Sequence, residues 1–214
     1  MPKPYLLYTA IVVPISVLLP ISSGIRNYAY TDRPLRIMLS YLVFAGLLNF
    51  TASVLAFGGH NNLWLLHVYS AIEMALISLY FYFLYQEKWM KRVILWIAIV
   101  YVIFCIVNAL FLQSINYFNT YTRPLQSLLI PLYSMIYLYR GIGSFFSNHK
   151  QEAHYWIQIG LIIYFLSSLI QFSLSNIFLV HFDVSIRQAF WIFHATMVLV
   201  MYLLFTKAYQ TCKK

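Results

Sequence analysis

Seven apolar runs follow one another along this chain with only short hairpins between them, at about 5–25, 37–57, 63–86, 93–113, 124–140, 155–178 and 186–208. A hydrocarbon layer about 30 Å thick takes roughly 20 apolar residues as a helix. Backbone in lipid must also satisfy its own hydrogen bonds, which leaves helices or closed barrels. The alternating pattern of a barrel strand is absent. The runs therefore predict an all-α polytopic membrane protein of seven transmembrane helices, one bundle over residues 1–214. With 62% hydrophobic and 9% charged residues, the chain has too few charges to cover a soluble domain of this size.

The basic residues divide unevenly between the loops. If all seven runs span, one face carries Lys3, Arg123 and Arg187, and the other carries the remaining 11 of the 14 basic residues: Arg26, Arg33, Arg36, Lys88, Lys91, Arg92, Arg140, Lys150, Lys207, Lys213 and Lys214. Short loops rich in Lys and Arg stay in the cytoplasm. The N-terminus is expected outside and the C-terminus in the cytoplasm, in a multi-pass protein of an inner membrane. The same loops exclude a cleaved signal peptide, which would leave Arg26, Arg33 and Arg36 outside. The net charge of +9 then reflects topology and anionic lipid heads. Charges scattered over separate loops do not make a nucleic-acid surface. Cys105 falls mid-span and Cys212 in the tail, so the two cannot pair and form no metal spacing.

Two stretches resemble each other. Leu48-Asn49-Phe50-Thr51-Ala52-Ser53 is followed by Trp64-Leu65-Leu66-His67, and Ile170-Gln171-Phe172-Ser173-Leu174-Ser175 by Trp191-Ile192-Phe193-His194. This pairs span two with six and span three with seven. Pro14 and Pro131 link span one with five. Helices four apart run in the same direction, so the expected plan is a three-plus-one-plus-three parallel repeat: 1–86, a linker helix at 93–113, and 124–208.

That plan resembles the SWEET sugar transporters and the PQ-loop transporters, although no Pro-Gln dipeptide occurs. It is more remotely similar to microbial rhodopsins, but Lys207 lies at the end of the last span rather than mid-span, where a retinal lysine is needed. The runs His67-Val68-Tyr69-Ser70-Ala71-Ile72-Glu73 and Phe190-Trp191-Ile192-Phe193-His194 resemble a group of small Bacteroidota membrane proteins. That likeness implies a bacterial inner membrane and supplies no function.

Polar groups inside the spans mark the candidate site. At about 1.5 Å per residue, His67 lies roughly 6 Å from the outer end of its span, Asn49 and His194 roughly 12 Å, and Glu73 roughly 15 Å. Asn108, Gln126 and Gln171 also fall in the outer half, whereas the inner half is apolar and tyrosine-rich. Polar groups at such depth are costly and face a bundle interior or a cavity. Glu73 is the acid expected within the hydrocarbon, either as a protonated link between helices or as a group that meets ligand or carries protons. Arg187, Trp191 and His194 share a helix face at i, i+4, i+7 spacing. Glu73, His67, His194, Asn49, Gln171, Arg187 and Trp191 are the candidate ligand-binding residues. His60, His149, His154 and His181 are assigned to loops. No catalytic or metal-ligand set is assigned, because His67 and Glu73 point about 120° apart on one helix. No cofactor is identified.

Three function classes remain. A small-molecule transporter using a polar pocket in the outer half fits best, with Pro14 and Pro131 as hinges. A seven-helix ligand sensor needs a signalling partner, since its cytoplasmic loops are short. A membrane-embedded hydrolase has the least support. The expected partners are the lipid bilayer, a small molecule, and a second copy or a signalling protein; nucleic acid is not among them.

Overall fold

The computed structural model describes residues 4–143 and 145–213. Among them are seven long helices and no strand: α1 Tyr5–Arg26, α2 Arg33–Phe57, α3 Trp64–Leu84, α4 Lys88–Leu112, α5 Thr122–Arg140, α6 His149–His181 and α7 Val184–Thr211. Six are long and apolar enough to cross a membrane. The seventh, α5, falls short because it carries Arg123, Gln126, Ser127 and Ser134. All four are buried, so this polar stripe faces protein.

Local chemistry sets the boundaries. Asp32 accepts a hydrogen bond from the Leu35 amide at 3.1 Å, and Pro34 occupies the first turn, so α2 starts there. Asn148 caps α6 through the Lys150 amide at 2.9 Å. Asn119 accepts from both the amide and the hydroxyl of Thr122, at 3.1 and 2.8 Å, with Pro124 in the first turn of α5. Gly59, just past the end of α2, has φ +74°, which a side chain would disfavour. The π-helical turn Tyr8–Val12 sits ahead of Pro14 and widens the ladder where proline supplies no donor.

These caps start α5 and α6 ahead of the expected 124 and 155. Two residues assigned to loops thereby move inside. Arg123, counted above as an exposed loop charge, is 2% exposed, and His154 is 4% exposed. His149 and His181 are the terminal residues of α6 rather than loop residues.

Six helices close into a ring. α1 packs on α2, α2 on α3, α3 on α5, α5 on α6, α6 on α7, and α7 returns to α1, while α4 lies outside against α3. The α6–α7 seam is close at Gly160, where an added Cβ would come within 2.7 Å of the Phe205 ring. One end of the bundle carries Arg26, Arg33, Arg36, Lys88, Lys91, Arg92, Arg140, Lys150 and Lys207; the other carries Arg187 and the loops at 58–63 and 113–121. Lys3 and Lys214 lie outside the described residues. We refer to these as the basic end and the neutral end.

The interior is layered along its axis. Tyr41, Glu73 and Tyr164 form a polar layer toward the neutral end. One helical turn below it lie Met38, Ile77 and Leu161, each 0% exposed. A further turn down, Tyr80, His154 and Gln158 form a second buried polar layer. The spacing in α2, α3 and α6 follows the three-to-four-residue helical repeat.

Candidate functional site

Glu73, in the middle of α3, is fully buried and paired with Arg123 from the first turn of α5. Arg123 Nη1 donates to Glu73 Oε2, and Gln126 Nε2 donates to the same oxygen at 3.0 Å. Tyr41 of α2 donates to Glu73 Oε1 at 2.8 Å and lies 3.2 Å from the Tyr69 hydroxyl. Arg123 Nη1 also donates to Gln126 Oε1 at 3.1 Å, and its Nη2 to the Tyr164 hydroxyl of α6. Gln126 Oε1 further accepts from Ser70 at 3.0 Å, and Ser70 contacts the Tyr101 hydroxyl of α4. Side chains of four helices thus meet on one ion pair, and Tyr101 joins a fifth through Ser70 and Gln126. Both charges are desolvated, so the pair persists only because every neighbour supplies hydrogen bonds.

Aromatic rings surround the guanidinium. Its carbon lies 5.2 Å from the Tyr69 ring centroid, 5.6 Å from Tyr164, 5.7 Å from Phe165 and 5.2 Å from Phe172. Rings at this distance can attract the cation, and Tyr164 meets it through its hydroxyl. Arg123 Nε is buried and has no hydrogen-bond partner.

A cavity of about 360 Å³ opens above this pair. Its wall includes Tyr41, Asn49, Tyr69, Arg123, Tyr164, Phe172, Trp191, His194 and Tyr202, and Asn62, Leu63 and Phe118 place its mouth at the loops of the neutral end. The Phe118 and Trp191 rings pack there at 5.5 Å. Arg123 is part of the wall but Glu73 is not, so the cation faces the cavity and the carboxylate stands behind it. The size is near the lower end of small-molecule pockets, about 300–1,000 Å³.

The structure sorts the residues singled out from sequence. Asn49, Trp191 and His194 line the cavity, and Glu73 lies behind its wall. His194 Nδ1 is 3.0 Å from the Ser167 hydroxyl, which itself donates to the Tyr164 carbonyl at 2.8 Å. A hydroxyl has one proton, so Nδ1 is the donor, and Nε2 of the neutral ring is left as an acceptor. His67 is elsewhere: its Nε2 meets the Tyr117 carbonyl at 3.2 Å, tying α3 to the 113–121 loop. Gln171 is buried but does not line the cavity. Arg187 is half-buried near the start of α7, also off the cavity wall.

A second network lies at the basic end. His154 Nε2 is 2.9 Å from Asp32 Oδ2, His154 Nδ1 is 3.1 Å from the Tyr80 hydroxyl, and Gln158 Nε2 donates to that hydroxyl at 2.8 Å. A consistent proton assignment runs Gln158 to Tyr80, Tyr80 to His154, and His154 to Asp32. Asp32 also caps α2, so one carboxylate joins the α1–α2 hairpin to α3 and α6. Burial raises the Asp32 carboxyl, but the His154 contact, the Leu35 amide and nearby Lys150 together hold the group below its ordinary 3.8.

No protein-family model matches the chain, and comparisons with curated proteins and with solved structures return no match.

Proposed function

We propose that this protein moves a small molecule across a membrane, taking it into the cavity at the neutral end. The observation that carries this reading is the buried Glu73–Arg123 pair at the cavity wall. A solvent-reachable site with a desolvated ion pair is costly to build and has no need to exist in a purely structural bundle. Beneath it, the Met38–Ile77–Leu161 layer and the Asp32–His154–Tyr80 network close the path to the basic end. A transporter needs such an arrangement: a site open on one side and a breakable seal on the other.

In this reading all seven helices span an inner membrane of a bacterium, with the N-terminus outside and the basic end in the cytoplasm. Removing buried Arg123 from the exposed charges leaves the positive-inside bias stronger. The two halves are α1–α3 and α5–α7. Packing supports this pairing, since a half-turn that exchanges the halves carries each ring contact onto another, α1–α7 onto α5–α3 and α2–α3 onto α6–α7, and leaves α4 as the unpaired linker.

Reconstituted liposomes test transport directly. Protein-dependent, saturable uptake of a solute, lost when Arg123 is replaced by Gln, is the expected result. A sealed lower layer also suits a receptor that relays ligand binding to a partner. Ligand binding in detergent without flux in liposomes would replace transport by that reading.

A further inference from the structure

Treating the cavity as a ligand site, as above, we infer that its ligand is a monocarboxylate on a compact apolar body, taken up together with one proton that Glu73 accepts.

The order of charges argues for an anion. Arg123 stands at the cavity wall and Glu73 behind it, so an entering molecule meets the cation first. Arg123 lines the cavity, and its Nε has no acceptor, so the guanidinium has hydrogen-bonding capacity that its present partners leave unused. The neighbouring wall is aromatic, with Phe172, Trp191, Tyr69 and Tyr164. A cavity of about 360 Å³ with such walls suits a small apolar body carrying one charged head. A cationic ligand would approach Arg123 with no acid in front of it.

Charge balance argues for the proton. The resting pair is neutral overall. Adding an anion would leave a net negative charge in a desolvated site, which is expensive. One proton cancels it: the ligand carboxylate takes Arg123, and Glu73 becomes a neutral acid. Glu73 then retains the Gln126 amide donor and lies beside the hydroxyl oxygens of Tyr41 and Tyr69. The other groups facing this site are the phenols Tyr101 of α4, Tyr164 of α6 and Tyr202 of α7, together with His194 of α7 on the cavity wall. Glu73 is the acid in direct contact with the cation that the ligand would capture. The proton comes from bulk solvent outside the cavity mouth, and Glu73 gains one O–H bond with no other covalent change.

The test is calorimetric binding to the purified full-length protein in detergent, at pH 6 and pH 8, in buffers of differing ionisation enthalpy. Benzoate and octanoate present one head on a ring and on a chain; benzamide and benzylamine are the neutral and cationic counterparts. The inference expects one of the two carboxylates to bind at least tenfold more tightly than benzamide or benzylamine, with one proton taken up. Affinity should fall toward pH 8, by up to about tenfold per pH unit. Glu73→Gln should bind the carboxylate without proton uptake and gain more thermal stability from it than the wild type does. Equal binding of benzamide, preference for benzylamine, binding without a proton, proton uptake that persists in Glu73→Gln, or no binding by any of the four would overturn the inference. The wild-type measurements stand even if a variant fails to fold. Carboxylate binding with a proton but no liposome flux would leave the ligand class intact and remove transport.

Discussion

Glu73→Gln should destabilise the purified protein by about 3–5 kcal/mol, the usual loss when one partner of a buried ion pair is removed. Arg123→Gln should cost less. The reason is an asymmetry between the groups. A buried carboxyl left without its cation can take a proton and become neutral. A guanidinium left without its carboxylate stays charged. Arg123 in the Glu73→Gln protein would keep the Tyr164 hydroxyl and the nearby rings of Tyr69, Phe165 and Phe172, none of which carries the opposite charge. The double variant Glu73→Gln/Arg123→Met should recover most of the loss, because no unpaired charge remains. Thermal or denaturant unfolding in one detergent measures all three. Equal losses in the two single variants, with no recovery in the double, would mean that the residues contribute by shape rather than charge.

Asp32→Ala should cost about 2.5–4 kcal/mol, in two parts. Loss of the α2 cap is worth about 1 kcal/mol, and loss of a hydrogen bond from His154 to a charged acceptor about 1.5–3 kcal/mol. Asp32→Asn should retain much of the cap and lose the charge. The pH dependence follows from the depressed Asp32 carboxyl. Its contribution is present above the ordinary value of 3.8 and disappears as pH falls through the lower folded value. Wild-type stability should therefore drop more steeply at acid pH than that of Asp32→Asn. If the two curves run parallel below pH 4, the Asp32–His154 contact does not stabilise the fold through charge.

Much of this was readable from residue types. A lone acid inside a run of about 20 apolar residues has to face protein, so Glu73 was identifiable without coordinates. Asn49 and His194 are polar groups in apolar runs and Trp191 shares a helix face with His194, and all three line the cavity. Arg123 was not, because it sits at the edge of an apolar run, where a basic residue reads as a loop charge. Its helix extends two residues further than hydropathy alone indicates, owing to the Asn119 cap and Pro124. Those start signals were present in the sequence, as was the need of a buried Glu73 for a cation. His154 was misplaced in the same way, since the polar first turns of α6 precede its apolar run. His67 and Gln171 show a different limit. Depth along a span follows from counting, but rotation about the helix axis depends on which neighbours pack against it. His67 turns to the 113–121 loop, whereas His194, its counterpart in the proposed repeat, turns to the cavity.

The most direct test of the account is the accessibility of the cavity from outside. Ala52 lines it near the mouth, and both native cysteines, Cys105 and Cys212, are buried and can be replaced by Ser. In that background Ala52→Cys should react with a membrane-impermeant maleimide added to intact cells, and a bound ligand should slow the reaction. Labelling that requires permeabilised cells and reaches Ala52→Cys only from the cytoplasm would contradict both the orientation and the outward-facing site.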